Sequence, residues 1–195
     1  MLSELKSALR PALVLTALFA LLLGLAYPLA LTAMGQLVFP EQANGSLVRD
    51  GSKIVGSKLI GQRFLADAYF HGRPSAAGAV GYDAAASSGS NLGPASKALA
   101  DRVAADVKAL TATAPGRPVP PDLVTTSASG LDPHISPEAA FFQIARVAKA
   151  RGIDDASLRS LVEASVEHPL AGILGERRVN VLMLNRALDA RFPTK

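Results

Sequence analysis

Residues 51–58, Gly51-Ser52-Lys53-Ile54-Val55-Gly56-Ser57-Lys58, come closest in this chain to a phosphate-holding pattern. Such a loop needs two glycines five apart, then Lys followed by Ser or Thr, and behind them a helix whose free amides take the phosphate. Here the last pair is reversed to Ser57-Lys58, and Leu59-Ile60 behind it reads as extended chain, so a glycine-punctuated hairpin accounts for the segment better. Nucleophilic chemistry is no better supplied. An elbow of the hydrolase type places glycine two residues before and two after its serine, and Ser88, Ser90, Ser127 and Ser129 all miss that spacing. His71, His134 and His168 lack the close spacing of a zinc-binding helix and a paired carboxylate to orient them, so each reads first as a structural hydrogen-bonding group. His134 stands out, because Asp132-Pro133-His134-Ile135-Ser136 runs into a helix start, where dipole and free amides favour anions. The absence of cysteine excludes thiolate nucleophiles, disulfides and cysteine-ligated metal sites.

The elements that would position these groups fall into two parts. From Pro11 to Pro40 there are 30 consecutive uncharged residues, entered through Lys6 and Arg10 and left through Glu41. About 20 apolar residues cross a hydrocarbon core, and Ala12 to Leu31 supplies them. A secretory signal would have a shorter apolar core and a small-x-small cleavage site, which Leu31-Thr32-Ala33 does not provide. The reading is therefore one uncleaved membrane anchor in contact with lipid, which Gly24 and Pro28 bend without breaking. Lys6 and Arg10 precede it and only Arg49 follows closely, which places the amino terminus in the cytoplasm and the rest outside. The expected division is 1–10 cytoplasmic, 11–34 membrane helix, 35–45 neck, and 46–195 a soluble extracytoplasmic domain.

That domain is expected to be α+β, with a small sheet and about four helices. Asp50-Gly51 between apolar pairs predicts a hairpin, and residues 71–93, rich in Gly, Ser and Ala, predict an ordered loop. A helix opening at Pro94 carries Leu99, Val103, Val107 and Leu110, and stops before Pro115-Gly116. Asp122 to Thr126 is expected as a strand returning to the hairpin. Ser136-Pro137 starts a second helix with Phe141, Ile144, Ala145 and Ala148 on its apolar face, and Gly152 ends it. Asp154 or Asp155 caps a third, carrying Leu158, Leu161, Val162 and Val166 as far as His168-Pro169. A fourth covers about Val179 to Arg191 with Val181, Leu184 and Leu188 inward. The net charge of +4 and 5% aromatic content, without a basic stripe, argue against nucleic acid as a partner.

Four segments in one order behind a single anchor carry a family likeness: Tyr69-Phe70-His71-Gly72-Arg73-Pro74-Ser75-Ala76, Ser87 to Pro94, Ser129-Gly130-Leu131-Asp132-Pro133-His134-Ile135-Ser136-Pro137, and Val179 to Asp189. Together they resemble the Kdp potassium-transporting ATPase C subunit, over essentially the whole chain. The resemblance implies a non-catalytic subunit in the bacterial inner membrane. Its implied partners are a channel-like potassium-translocating subunit, a P-type ATPase subunit and a small single-span subunit. It implies no cofactor of the chain's own, with ATP and potassium handled by the complex. It also implies an assembly factor and catalytic chaperone that raises the ATP affinity of the ATPase subunit, with Ser129, Gly130, Asp132 and Gln143 in the segment invoked for nucleotide contact. That last implication conflicts with an outside domain, and the topology is the more direct reading. The rivals from other classes are a membrane-anchored extracytoplasmic serine hydrolase working through Ser88 or Ser90, and a binding module whose Gly- and Ser-rich loops form its surface.

Overall fold

The computed structural model describes residues 2–169 and 172–193. The chain divides into two compact units, residues 1–47 and 48–195.

The first unit is helical: α1 (Leu2–Leu21), a π turn (Leu22–Ala26), α2 (Tyr27–Val38) and the single-turn α3 (Pro40–Ala43). Its apolar stretch, Lys6–Val38, is long enough to cross a membrane, and its most apolar window has no buried residue. At 1.5 Å per residue, the 33 residues reach about 50 Å, beyond the hydrocarbon core. The π turn lies just before Pro28, whose ring cannot donate to a carbonyl one turn back. The Tyr27 amide donates five residues back, to Leu22 O, so the helix absorbs the proline by widening one turn. Residues 35–45, expected as a neck, are helical through Val38 and again in α3, with the break at Phe39. Asn44 exchanges amide hydrogen bonds with Gln36 and donates to Pro40 O at 2.6 Å, which closes the Asn44-Gly45 turn.

The second unit mixes helix and sheet. The hairpin forms as expected, from β1 (Leu47–Asp50) and β2 (Lys53–Ser57), with Gly51 at φ 57° in the turn. Beyond it, Lys58-Leu59 is a turn and Ile60 makes one isolated bridge back to Ser57, so neither a third strand nor a helix follows. The loop from 71 to 93 has no regular element. α4 (Lys97–Thr113) begins at Lys97 rather than at Pro94, because the Ser96 side chain accepts from Leu99 N and sets the start. Its stripe is only half covered, with Val107 37% exposed.

Asp122 to Thr126 is not a strand. Pro120 and Pro121 set up a short 3-10 turn (Pro121–Leu123), and the Asp122 carboxylate accepts from Ser136 N at 2.7 Å and Ser136 Oγ at 3.1 Å. The strands that do form are shorter. β3 (His134–Ile135), β4 (Val166–Glu167) and β5 (Arg178–Asn180) make an antiparallel sheet in the order β3-β5-β4, with Val179 paired to Ile135 on one side and Val166 on the other. Val166 therefore belongs to a strand, since the third helix, α6 (Asp155–Ala164), ends earlier. Val179 likewise leaves the fourth helix, and α7 (Val181–Arg191) starts at Asn180, whose side chain caps Met183 N.

α5 (Pro137–Arg151) has the expected ends, Ser136 capping Ala139 N and Gly152 in the left-handed region at φ 66°. Its buried face is rotated from the expected one: Phe142, Ile144, Val147 and Ala148 are buried, Phe141 is half-buried and Ala145 exposed. α5, α6 and α7 pack with Val179 around one core, into which the loop contributes Phe70 at 0% exposure.

Candidate functional site

The long loop is held to the helices by side chains that treat it as a missing strand. Asn185 on α7 accepts from Phe70 N at 2.8 Å and donates to Phe70 O at 2.9 Å. Gln143 on α5 does the same for the next residue, accepting from His71 N at 2.8 Å and donating to His71 O at 3.1 Å. Arg146 donates to Asp67 O and Tyr69 O, and Arg151 to Ala68 O, so residues 67–71 are fastened at almost every backbone group. The Arg151 guanidinium also pairs with Asp189 at 2.6 Å and stands 4.7 Å over the Tyr69 ring. Burial of the amides of Asn185 and Gln143 is thus matched by full hydrogen bonding.

Past this strap the chain folds onto residues 127–134. Arg73 reaches Asp132 at 3.2 Å and the carbonyls of Thr125 and Thr126. Ser75 Oγ donates to Gly130 O at 2.5 Å and accepts from Ala77 N and Tyr82 N. Tyr82 Oη donates to Arg73 O at 2.6 Å. Gly130 is in the left-handed region at φ 66°, and a Cβ there would lie 2.5 Å from Ser88 O, so both conformation and space require glycine. Ser129 O accepts from Ser88 N and Ser87 Oγ. Residues from three of the singled-out segments, Tyr69 to Ala76, Ser87 to Pro94 and Ser129 to Pro137, thus pack as one loop assembly, and the fourth, in β5 and α7, holds the first through Asn185.

Its electrostatics are specific. Burial pushes the Asp132 carboxyl up, but the hydrogen bonds from His134 and the Arg73 charge outweigh it and hold the group below its usual 3.8. Burial, then the Arg146 charge, lower His71 from 6.5. Both groups bind fewer protons folded than unfolded, so acid favours unfolding. Stability should begin to fall as pH drops below 6.5 and fall again below 3.8. Denaturant unfolding at about pH 7 and about pH 5 checks the first step, and equal stability would contradict it. Burial, with Asp132 adding to it, pushes Tyr82 up to about 12. For this raised group the sign is opposite: stability holds below pH 10 and is lost as pH rises towards 12. Tyr82→Phe should remove the phenol that ionises towards pH 12 in an absorbance titration and cost about 1 kcal/mol at neutral pH for the lost hydrogen bond.

Of the residues expected in the nucleotide segment, Ser129, Gly130 and Asp132 lie in one irregular stretch before β3. Ser129 is exposed and its Oγ accepts from Leu131 N, while Asp132 Oδ1 accepts from His134 N. Gln143 is 3% exposed, and its amide is engaged with His71, Ala139 and Arg146. Asp132 lines an open groove of about 1300 Å³ and Gln143 a separate cavity of about 520 Å³, with Arg73 on the wall of both. His134 lies 3.5 Å from Asp132 and 3.8 Å from Glu167. His71 Nε2 is 3.1 Å from Ala66 O, and His168 lines the large groove. Among the described residues no cluster of His, Asp and Glu could hold a metal ion, and no histidine is hydrogen-bonded to Ser88 or Ser90. Tyr82 and Arg146 were not singled out from sequence, whereas Arg73 and Asn185 lie in segments that carry the family likeness but had no role assigned to them.

A family model described as K+-transporting ATPase, c chain, matches residues 9–190. The chain belongs to the KdpC family. The Potassium-transporting ATPase KdpC subunit of Caulobacter vibrioides (strain NA1000 / CB15N) is 61% identical over 188 residues, covering 96% of this chain and 95% of that relative. The protein of the same name from Rhodopseudomonas palustris (strain TIE-1) is 58% identical, covering 94% and 97%. That of Methylobacterium nodulans is 58% identical, covering 93% and 96%. The KdpC match takes in the apolar helix as well as the loop assembly, and it names a subunit of a potassium-transporting ATPase.

Proposed function

We propose that this chain is the single-span, non-catalytic subunit of an ATP-driven high-affinity potassium uptake complex in the bacterial inner membrane, where it supports assembly. Its partners are a channel-like subunit, a P-type ATPase subunit and a small single-span subunit. The membrane segment lies within 11–34, with the amino terminus cytoplasmic and the second unit outside. The observation that carries this reading is the match over residues 9–190, anchor included. Tagged full chain in mild detergent is expected to recover large multispan partners, and a chain recovered alone would sink the reading. In right-side-out spheroplasts external protease should cut residues 46–195; protection would overturn the orientation.

A raised ATP affinity of the ATPase subunit fits this arrangement as an effect of subunit contact. Direct contact through Ser129, Gly130, Asp132 and Gln143 would need cytosolic ATP to reach an outside domain, and would need Gln143 to release His71. Photolabelling the complex with an azido-ATP should mark the ATPase subunit; label within residues 129–143 of this chain would reverse that view.

A further inference from the structure

Two guanidiniums on the large groove have no ion-pair partner among the described residues. Arg117 stands 5.9 Å over the Phe142 ring and donates to Phe141 O at 3.2 Å, and Arg159 stands 5.2 Å over the Phe141 ring. Stacking on aromatic faces orients both cations without neutralising either. Apart from Glu176, for which the described residues show no ion pair, the Arg, Asp and Glu side chains elsewhere on this groove are matched within the chain. Arg73 pairs with Asp132, Arg177 with Glu138 at 3.5 Å and Arg178 with Glu167 at 2.8 Å, while Asp122 takes the Ser136 amide and hydroxyl.

The shape and the charge narrow the occupant. A groove of about 1300 Å³ exceeds the roughly 300–1,000 Å³ of small-molecule sites. Its apolar wall includes Val119, Phe141 and the 64% exposed Leu174. A phosphate chain would seek the N-terminus of α5, but the Asp122 carboxylate already holds the Ser136 amide there. Separate carboxylates on an extended chain suit two separate guanidiniums better.

We propose that this groove receives an acidic, extended polypeptide segment of a partner protein. Its carboxylates meet Arg117 and Arg159, and an apolar side chain lies against Phe141, Val119 and Leu174. The proposal rests on the complex reading above and adds where on this chain a partner docks, and by what chemistry.

The test uses the full chain in cells. Leu174→p-benzoylphenylalanine, irradiated, should crosslink to an Asp- or Glu-bearing segment of another protein, identified by mass spectrometry. Crosslinks confined to lipid or to a second copy of this chain, or none, would overturn the proposal. In parallel, Arg117→Ala with Arg159→Ala should lower partner recovery roughly tenfold and make the remainder more salt-sensitive, while Lys at both positions restores part of it. Unchanged recovery with the double alanine variant would also overturn it. Recovery of partners by the unsubstituted chain without a groove crosslink rejects this proposal and leaves the subunit reading standing; a groove crosslink to an acidic segment without multispan partners does the reverse.

Discussion

Phe70→Ala is expected to lower the unfolding free energy of the second unit by about 3–5 kcal/mol, the largest effect of any single truncation considered. Phe70 is 0% exposed and sits in the core formed by α5, α6 and α7, yet it comes from a loop without regular structure. Its ring ties residues 67–71 into that core beside the side-chain hydrogen bonds to their backbone. Truncation removes the transfer energy of the ring and leaves a cavity that the surrounding helices, fixed by their own packing, cannot fill. For a domain of this size the loss corresponds to a fall in melting temperature of roughly 10 °C. Denaturant unfolding of the full chain in detergent measures it, and a loss under about 1 kcal/mol would show that the loop is a passenger on the core. Partner recovery should fall with it, since the segments on either side of Phe70 are positioned by the same anchor.

Asn185→Leu is the second. The substitution keeps the volume and is apolar in an apolar site, so a packing argument alone expects little change. Hydrogen bonding argues otherwise. The Asn185 amide is the partner of both Phe70 N and Phe70 O, and leucine strands a donor and an acceptor. At about 1–3 kcal/mol for each buried unsatisfied group, the expected cost is about 2–5 kcal/mol. Asn185→Asp separates the two explanations. The charged carboxylate can accept from Phe70 N but cannot donate to Phe70 O, and its burial raises its pKa. A raised group stabilises the fold below its unfolded pKa and loses that contribution as pH rises through the folded one, so this variant should gain on the unsubstituted chain as pH falls from about 7 towards 4. If Asn185→Leu proves as stable as the unsubstituted chain, the pairing with Phe70 is not what holds the loop.

These two residues illustrate where sequence reading reached and where it stopped. The apolar face of α7 was legible, with Val181, Leu184 and Leu188 all buried, because helical spacing repeats over three turns. Asn185 lies one residue from Leu184 and reads as the polar edge of that face; only the arrival of Phe70, 115 residues earlier in the chain, makes it an interior group. Gln143 is interior for the same reason, because His71 arrives from 72 residues earlier to pair with its amide. The strands β3, β4 and β5 have two or three residues each, too few for a period of two to show. Asp122-Leu123-Val124-Thr125-Thr126 has strand-like composition, but two prolines before it and a carboxylate drawn to the start of α5 make it a turn.

What the sequence determined by itself was what depends on near neighbours along the chain. That covers the apolar membrane-length helix, the Asp50-Gly51 hairpin, the cap at Ser136, a cap for α6 at one of the two residues Asp154 and Asp155, the stop at Gly152 and the mixed α and β character of the second unit. Each follows from backbone conformation or from periodicity within a few turns. The tertiary structure alone decided the sheet order β3-β5-β4, the strap held by Gln143 and Asn185, the Arg73–Asp132–His134 cluster and the groove with its two unpaired guanidiniums. Those features join residues tens of positions apart, and the choice among such pairings is made by burial and hydrogen-bond satisfaction across the whole unit, which no local window of sequence contains.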